Sequence, residues 1–221
     1  TIAHLTRYDS THGRFQGEIS VAGQDLTVNG DAIRVLRHSE PAELPWDLLK
    51  VDLVLECSGA YSDRATAERH IQAGAKRLLF SQPAESDVDR TVVYGINDRD
   101  LCPKDVIVAA ASCTTNCLVP VIKALDAAFG VVPTMNVSAI DMVINVRKAT
   151  DVVTVNNLLK EAANGPLKRI LGYTDELLAS SDFNHDAHSG VVDGGQTRVT
   201  GGTMVKVLCW FDNEWGFANR M

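Results

Sequence analysis

One stretch constrains the fold more than any other: Val106-Ile107-Val108-Ala109-Ala110-Ala111-Ser112-Cys113-Thr114-Thr115-Asn116-Cys117. An apolar, β-branched run passes through small polar residues into a helical pattern, with Leu118, Val121, Ile122, Leu125 and Phe129 on one face and Gly130 as the stop. A strand that turns straight into a helix is an element of α/β architecture, and the turn carries a thiol. Cys113 falls near the helix N-terminus, where unpaired N–H groups favour a thiolate and can hold an oxyanion formed on a bound carbonyl. That pairing is acyl-transfer chemistry. The plainer reading stays open at this point, since a Cys among small residues also packs well and Thr-Thr-Asn also caps helices. Cys113 and Cys117 have no second pair at ligand spacing, so no metal site is expected from them.

The flanking sequence extends the α/β pattern. Val51 to Cys57 reads as a buried parallel strand ending at Ser58-Gly59, followed by a helix over 63–74 and a second buried strand, Arg77 to Phe80, closing at Ser81. Residues 105–109 repeat the pattern, so 51–128 predict a parallel sheet with ligands at the strand C-termini. Ahead of it, 18–21 and 26–28 alternate around Gly23-Gln24 as a hairpin, residues 32–36 form a further strand candidate, and 9–17 read as a polar turn. The second half changes texture. Residues 135–146 alternate as one antiparallel strand, a helix over 154–164 takes Thr154 as its cap, and 189–200 and 203–211 read as two more strands. The pattern therefore predicts an α/β chain: a parallel-sheet region followed by an antiparallel sheet with few helices.

Bulk properties exclude several functions. A net charge of -7 with no basic cluster argues against nucleic-acid binding. No apolar stretch reaches the roughly 18 residues of a membrane span, and no signal-peptide pattern is visible. Five scattered cysteines fit a reducing cytoplasm better than a disulfide framework.

The run Ala111 to Cys117 resembles the active-site signature of the phosphorylating aldehyde dehydrogenases, the glyceraldehyde-3-phosphate dehydrogenase superfamily. Residues 8–15, 93–97 and 210–217 are similar to family segments in the same order. The resemblance implies a fold class of α/β: a Rossmann-like parallel-sheet nucleotide-binding domain for NAD over 1–112, an α+β catalytic domain with an antiparallel sheet over 113–212, and a return to the first domain over 213–221. It also implies Cys113 as nucleophile, Ser112, Cys113 and Thr114 on the substrate, and Ser58, Gly59, Ser81 and Asn213 along NAD. Small residues at Ser58-Gly59 let a cofactor near the backbone, and hydroxyls there can bond its phosphates or amide, although Ser-Gly after a strand is also simply a turn. The implied partners are an aldose phosphate and further copies of the chain in a homotetramer.

Residues 181–189 and 193–199, with 31–36 and 217–221, resemble the erythrose-4-phosphate dehydrogenase branch more than the glycolytic one. That branch implies NAD-dependent oxidation of D-erythrose 4-phosphate for pyridoxal phosphate synthesis; phosphorylating oxidation of glyceraldehyde 3-phosphate is the alternative. His185 and His188 read as surface-loop histidines rather than a metal pair. Three departures stand out: no Gly-x-Gly-x-x-Gly turn occurs anywhere, Ser39 stands where relatives often carry a cofactor-contacting Arg, and residues 129–131 pass directly to Val132. Family members carry a long segment at that last point, with the His general base and the basic residues that grip substrate phosphates. The first strand and final helix of the family are expected outside these residues, as parts of a longer enzyme. The competing reading is a shortened, non-catalytic paralogue that binds a nucleotide or a partner.

Overall fold

The computed structural model describes residues 2–137 and 141–221, with backbone alone for 132–137. Residues 2–7 form a short helix, α1 (Ile2–Arg7), leading into a hairpin of β1 (Tyr8–Asp9) and β2 (Gly13–Arg14). Its turn is built by the Asp9 carboxylate, which accepts the backbone N–H of Thr11 (2.9 Å) and of His12 (2.6 Å). The predicted hairpin is present, and the strand candidate at 32–36 forms over a shorter span beside it, giving the antiparallel meander β3 (Ile19–Ala22), β4 (Asp25–Val28) and β5 (Asp31–Ile33).

After α2 (Trp46–Leu49) come β6 (Leu53–Glu56), α3 (Arg64–Gln72), β7 (Arg77–Phe80), the short β8 (Arg90–Thr91) and β9 (Ile107–Ala109). These strands form a parallel sheet in the order β6-β7-β9-β8. α3 starts where Asp63 accepts the N–H of Thr66 (2.8 Å), satisfying a donor that the helix cannot satisfy itself. Helix α3 lies on one face, over Val54, Leu78, Phe80 and Ile107. The opposite face corrects the expectation of a doubly buried strand, for Leu53 and Leu55 are 49% and 50% exposed.

α4 (Cys113–Phe129) ends at Gly130, and β10 (Val131–Val137) follows it directly. Then come β11 (Asp141–Val146), α5 (Val152–Asn164), β12 (Leu171–Thr174), β13 (Gly190–Thr200), β14 (Met204–Trp210) and the single turn α6 (Trp215–Ala218). The sheet order is β10-β11-β14-β13-β12. Three expectations change here. The one strand over 135–146 is two paired antiparallel strands, β10 and β11, with Ala139 of that pattern outside the described residues. The sheet is mixed rather than antiparallel, because β12 pairs parallel with β13, and the long connection over 175–189 supplies the return such a pairing needs. The cap of α5 is Asp151, not Thr154: the carboxylate accepts the Thr154 N–H (2.8 Å) and its hydroxyl (3.0 Å).

α4 and α5 cover one face of the mixed sheet. Cys117, Val121 and Leu125 of α4 and Val155 and Leu159 of α5 meet Met142, Ile144, Val192, Val205 and Val207 in one core.

Candidate active site

The parallel sheet places three of the expected residues side by side. Glu56 pairs with Phe80, and Phe80 with Ala109, so β6, β7 and β9 end on one rung. Adjacent strands lie about 4.8 Å apart. Ser58, Ser81 and Cys113, which follow these three ends, therefore line the same C-terminal edge. Ser58 and Gly59 are exposed, and Ser81, Ser112, Cys113 and Thr114 are half-buried.

The turn into α4 is held from both sides. Ser112 is the cap: its hydroxyl accepts the Thr115 N–H (3.0 Å) and meets the Thr115 hydroxyl at 2.7 Å. The buried Asn116 amide donates to the carbonyls of Ala110 (2.8 Å) and Ser112 (2.9 Å), fixing the strand exit against the helix. Between them Ala111 sits at φ 59°, the left-handed region that costs an L-residue about 1–2 kcal/mol. At this helix start the first-turn N–H groups of Cys113 and Thr114 have no helical partners. Among the described residues no histidine is hydrogen-bonded to Cys113. Cys117 is fully buried and belongs to the core, so the two cysteines of the motif do different work.

Beneath Ser58 lies a polar network that the sequence reading did not single out. Glu56 is 7% exposed, and its carboxylate accepts the Ser58 N–H (2.7 Å), the Ser58 hydroxyl and the Tyr61 hydroxyl (2.8 Å). Tyr61 in turn bonds His70, whose Nδ1 accepts the indole N–H of Trp46 at 2.9 Å. Burial works against the Glu56 charge, but the bonds from Ser58 and Tyr61 outweigh it and hold the group below the ordinary glutamate range. Burial also lowers His70 and raises Tyr61, so both stay neutral. The signal in the sequence was a Glu closing an apolar strand and a His beside the apolar face of α3, polar residues at positions where the core is expected.

Asn213 is carried separately, on the exposed turn between β14 and α6. Asp212 organises that turn. Its carboxylate accepts the N–H groups of Glu214 (3.1 Å), Trp215 (2.8 Å) and His185 (2.9 Å), and His12 Nε2 lies 2.9 Å away. Burial again opposes the charge, and these donors overcome it, lowering the Asp212 pKa. On its other side His12 Nδ1 faces Asp9 (3.1 Å) and Glu214 (3.4 Å). The Asp212 bond, set against partial burial, raises the His12 pKa. The β1–β2 hairpin is thereby clamped to the Asn213 turn. His188 pairs with Asp186 at 2.7 Å, while the His185 ring meets Trp215 edge-on, so these two histidines have separate partners.

A cavity of about 450 Å³ lies on the open face of the parallel sheet beside Leu53, Leu79 and Val108 rather than at the Cys113 edge. The N-terminal part of the chain, residues 1–64, matches the family described as "Glyceraldehyde 3-phosphate dehydrogenase, NAD binding domain". Residues 131–213 match "Glyceraldehyde 3-phosphate dehydrogenase, C-terminal domain". The Cys113 turn lies between the two matched spans.

Proposed function

The chain belongs to the glyceraldehyde 3-phosphate dehydrogenase superfamily and carries its NAD-binding and C-terminal domains; from that premise we propose that it oxidises D-erythrose 4-phosphate to 4-phosphoerythronate, a supply step for pyridoxal phosphate. The single observation that carries a thiol-based oxidation is the alignment of Ser58, Ser81 and Cys113 on one sheet edge, with α4 opening at the sulfur. In this reading residues 1–112 hold the cofactor, 113–212 the substrate, and 213–221 return to the cofactor, in a cytoplasmic homotetramer.

The edge fits a dinucleotide. Gly59 sits at φ 69° with only Gln82 Oε1, at 3.5 Å, near where a Cβ would project, so a ligand can approach the backbone. Ser58, Gly59, Ser81 and Asn213 would hold NAD, which supplies the hydride acceptor. The Cys113 sulfur adds to the aldehyde carbon, and the carbonyl electron pair moves to oxygen, where the N–H groups of Cys113 and Thr114 stabilise it. Ser112 and Thr114 position the sugar phosphate. Protonation of that oxygen gives a thiohemiacetal, and loss of a hydride and the hydroxyl proton leaves a thioester on Cys113. Water then attacks the acyl carbon, the C–S bond breaks, and the acid leaves as the thiol is regenerated. The hydroxyl proton is the one that the family's His general base would take; among the described residues no histidine is hydrogen-bonded to Cys113.

The preference for erythrose 4-phosphate rests on the resemblance over 181–199, part of which, through the His185 N–H, holds the Asn213 turn. The test measures NADH formation from erythrose 4-phosphate and from glyceraldehyde 3-phosphate, each with and without inorganic phosphate. Phosphate-independent turnover of the four-carbon sugar, abolished by Cys113→Ser, is expected. A strict phosphate requirement means the glycolytic reaction instead. NAD binding without turnover of either sugar means a binding module, the reading favoured by the direct passage from α4 to β10.

A further inference from the structure

The hydrogen positions around Ser58 are fixed by the partners behind it. Trp46 can only donate, so His70 Nδ1 is the acceptor and the neutral ring carries its proton on Nε2. That proton goes to the Tyr61 oxygen, and the Tyr61 hydrogen goes to Glu56 Oε2. Glu56 Oε1, a carboxylate oxygen that can only accept, takes the Ser58 hydroxyl hydrogen together with the Ser58 N–H. The Ser58 oxygen also accepts the Ala60 N–H at 3.1 Å. What remains facing solvent is one lone pair on Ser58 Oγ, with no hydrogen to offer and a carboxylate directly behind it.

From this we infer that Ser58 is an acceptor for a hydroxyl, binding a ribose O–H of the dinucleotide and disfavouring its phosphate oxygens, with Glu56 as the positioning residue that keeps the serine hydrogen turned inward. A phosphate oxygen is itself an acceptor and meets both a lone pair and a negative charge, whereas a ribose hydroxyl brings the missing hydrogen. This rests on the NAD reading of the same edge and narrows the role of Ser58 from phosphates or amide to sugar.

Calorimetric titration of the whole chain with NAD and with its 2′- and 3′-deoxy analogues at each ribose tests it. Ser58→Ala, an exposed and conservative change, is expected to weaken NAD about fivefold, the worth of one neutral hydrogen bond. It should leave unchanged the affinity for one analogue, the one lacking the partnered hydroxyl, and that analogue identifies which ribose is bound. Glu56→Gln, whose amide can return a hydrogen to Ser58 and release the serine proton outward, should narrow the gap between NAD and that analogue. Equal weakening of all the nucleotides by Ser58→Ala, or none, overturns the inference while the dehydrogenase reading stands. Failure of the unaltered chain to bind NAD overturns both.

Discussion

Asp212 shows how much one side chain can organise. It gathers three backbone N–H groups and His12 around a buried charge, so Asp212→Asn should cost about 2 kcal/mol in urea unfolding, the scale of a hydrogen bond to a charged group. NAD affinity should fall with it, because Asn213 loses its frame. The two best-buried histidines pull stability in opposite directions with pH. For His12 the native pKa lies above the ordinary 6.5, so its contribution is complete below that value and disappears as pH rises through the raised one. His70 lies below 6.5 in the native state, so its contribution is complete above that value and is lost as pH falls through the lowered one. Urea midpoints measured over about pH 5 to 8 should decline at both ends. His12→Gln should flatten the alkaline limb and leave the acid limb in place.

At the level of elements, the caps carry a defined share of the stability. Ser112→Ala removes the acceptor of the Thr115 N–H and should cost about 1 kcal/mol. It should also slow alkylation of Cys113 by iodoacetamide, since the helix end beside the sulfur frays. Much of this level was legible beforehand. The strand-to-helix turn at Cys113, the stop at Gly130 and the strand exits at Ser58 and Ser81 follow from periodicity and local turn chemistry, which depend on neighbours in sequence. The misreadings share a cause, dependence on partners far away in the chain. Nothing local in Leu171 to Thr174 announces a strand; it exists because β13 offers it a parallel edge. Leu53 and Leu55 read as buried because their pattern is apolar, but burial depends on what packs above them. The hydrogen bonds that join Glu56 to Tyr61 and Tyr61 to His70 were hidden for a similar reason, since only the path of β6 against α3 brings those residues together.

The whole molecule rests on two apolar cores, one under the parallel sheet and one between the mixed sheet and its helices. Leu159→Ala, at a fully buried site in the second core, should lower stability by about 3 kcal/mol, within the range seen for large-to-small core changes. Leu55→Lys, on the open face of the parallel sheet, should change it by less than about 1 kcal/mol, read by thermal melting. The packing around Gly190 has a consequence for observing the protein. A Cβ there would come within 2.4 Å of the Cys117 sulfur, and Cys209 is as completely enclosed as Cys117, while Cys57 and Cys102 stand in solvent and Cys113 at the surface edge. The five thiols thus divide into three that a reagent meets at once and two that it meets only when the mixed-sheet core opens. Counted over time, the slow pair is a clock built into the fold: it reads the opening rate of that core without any label being introduced.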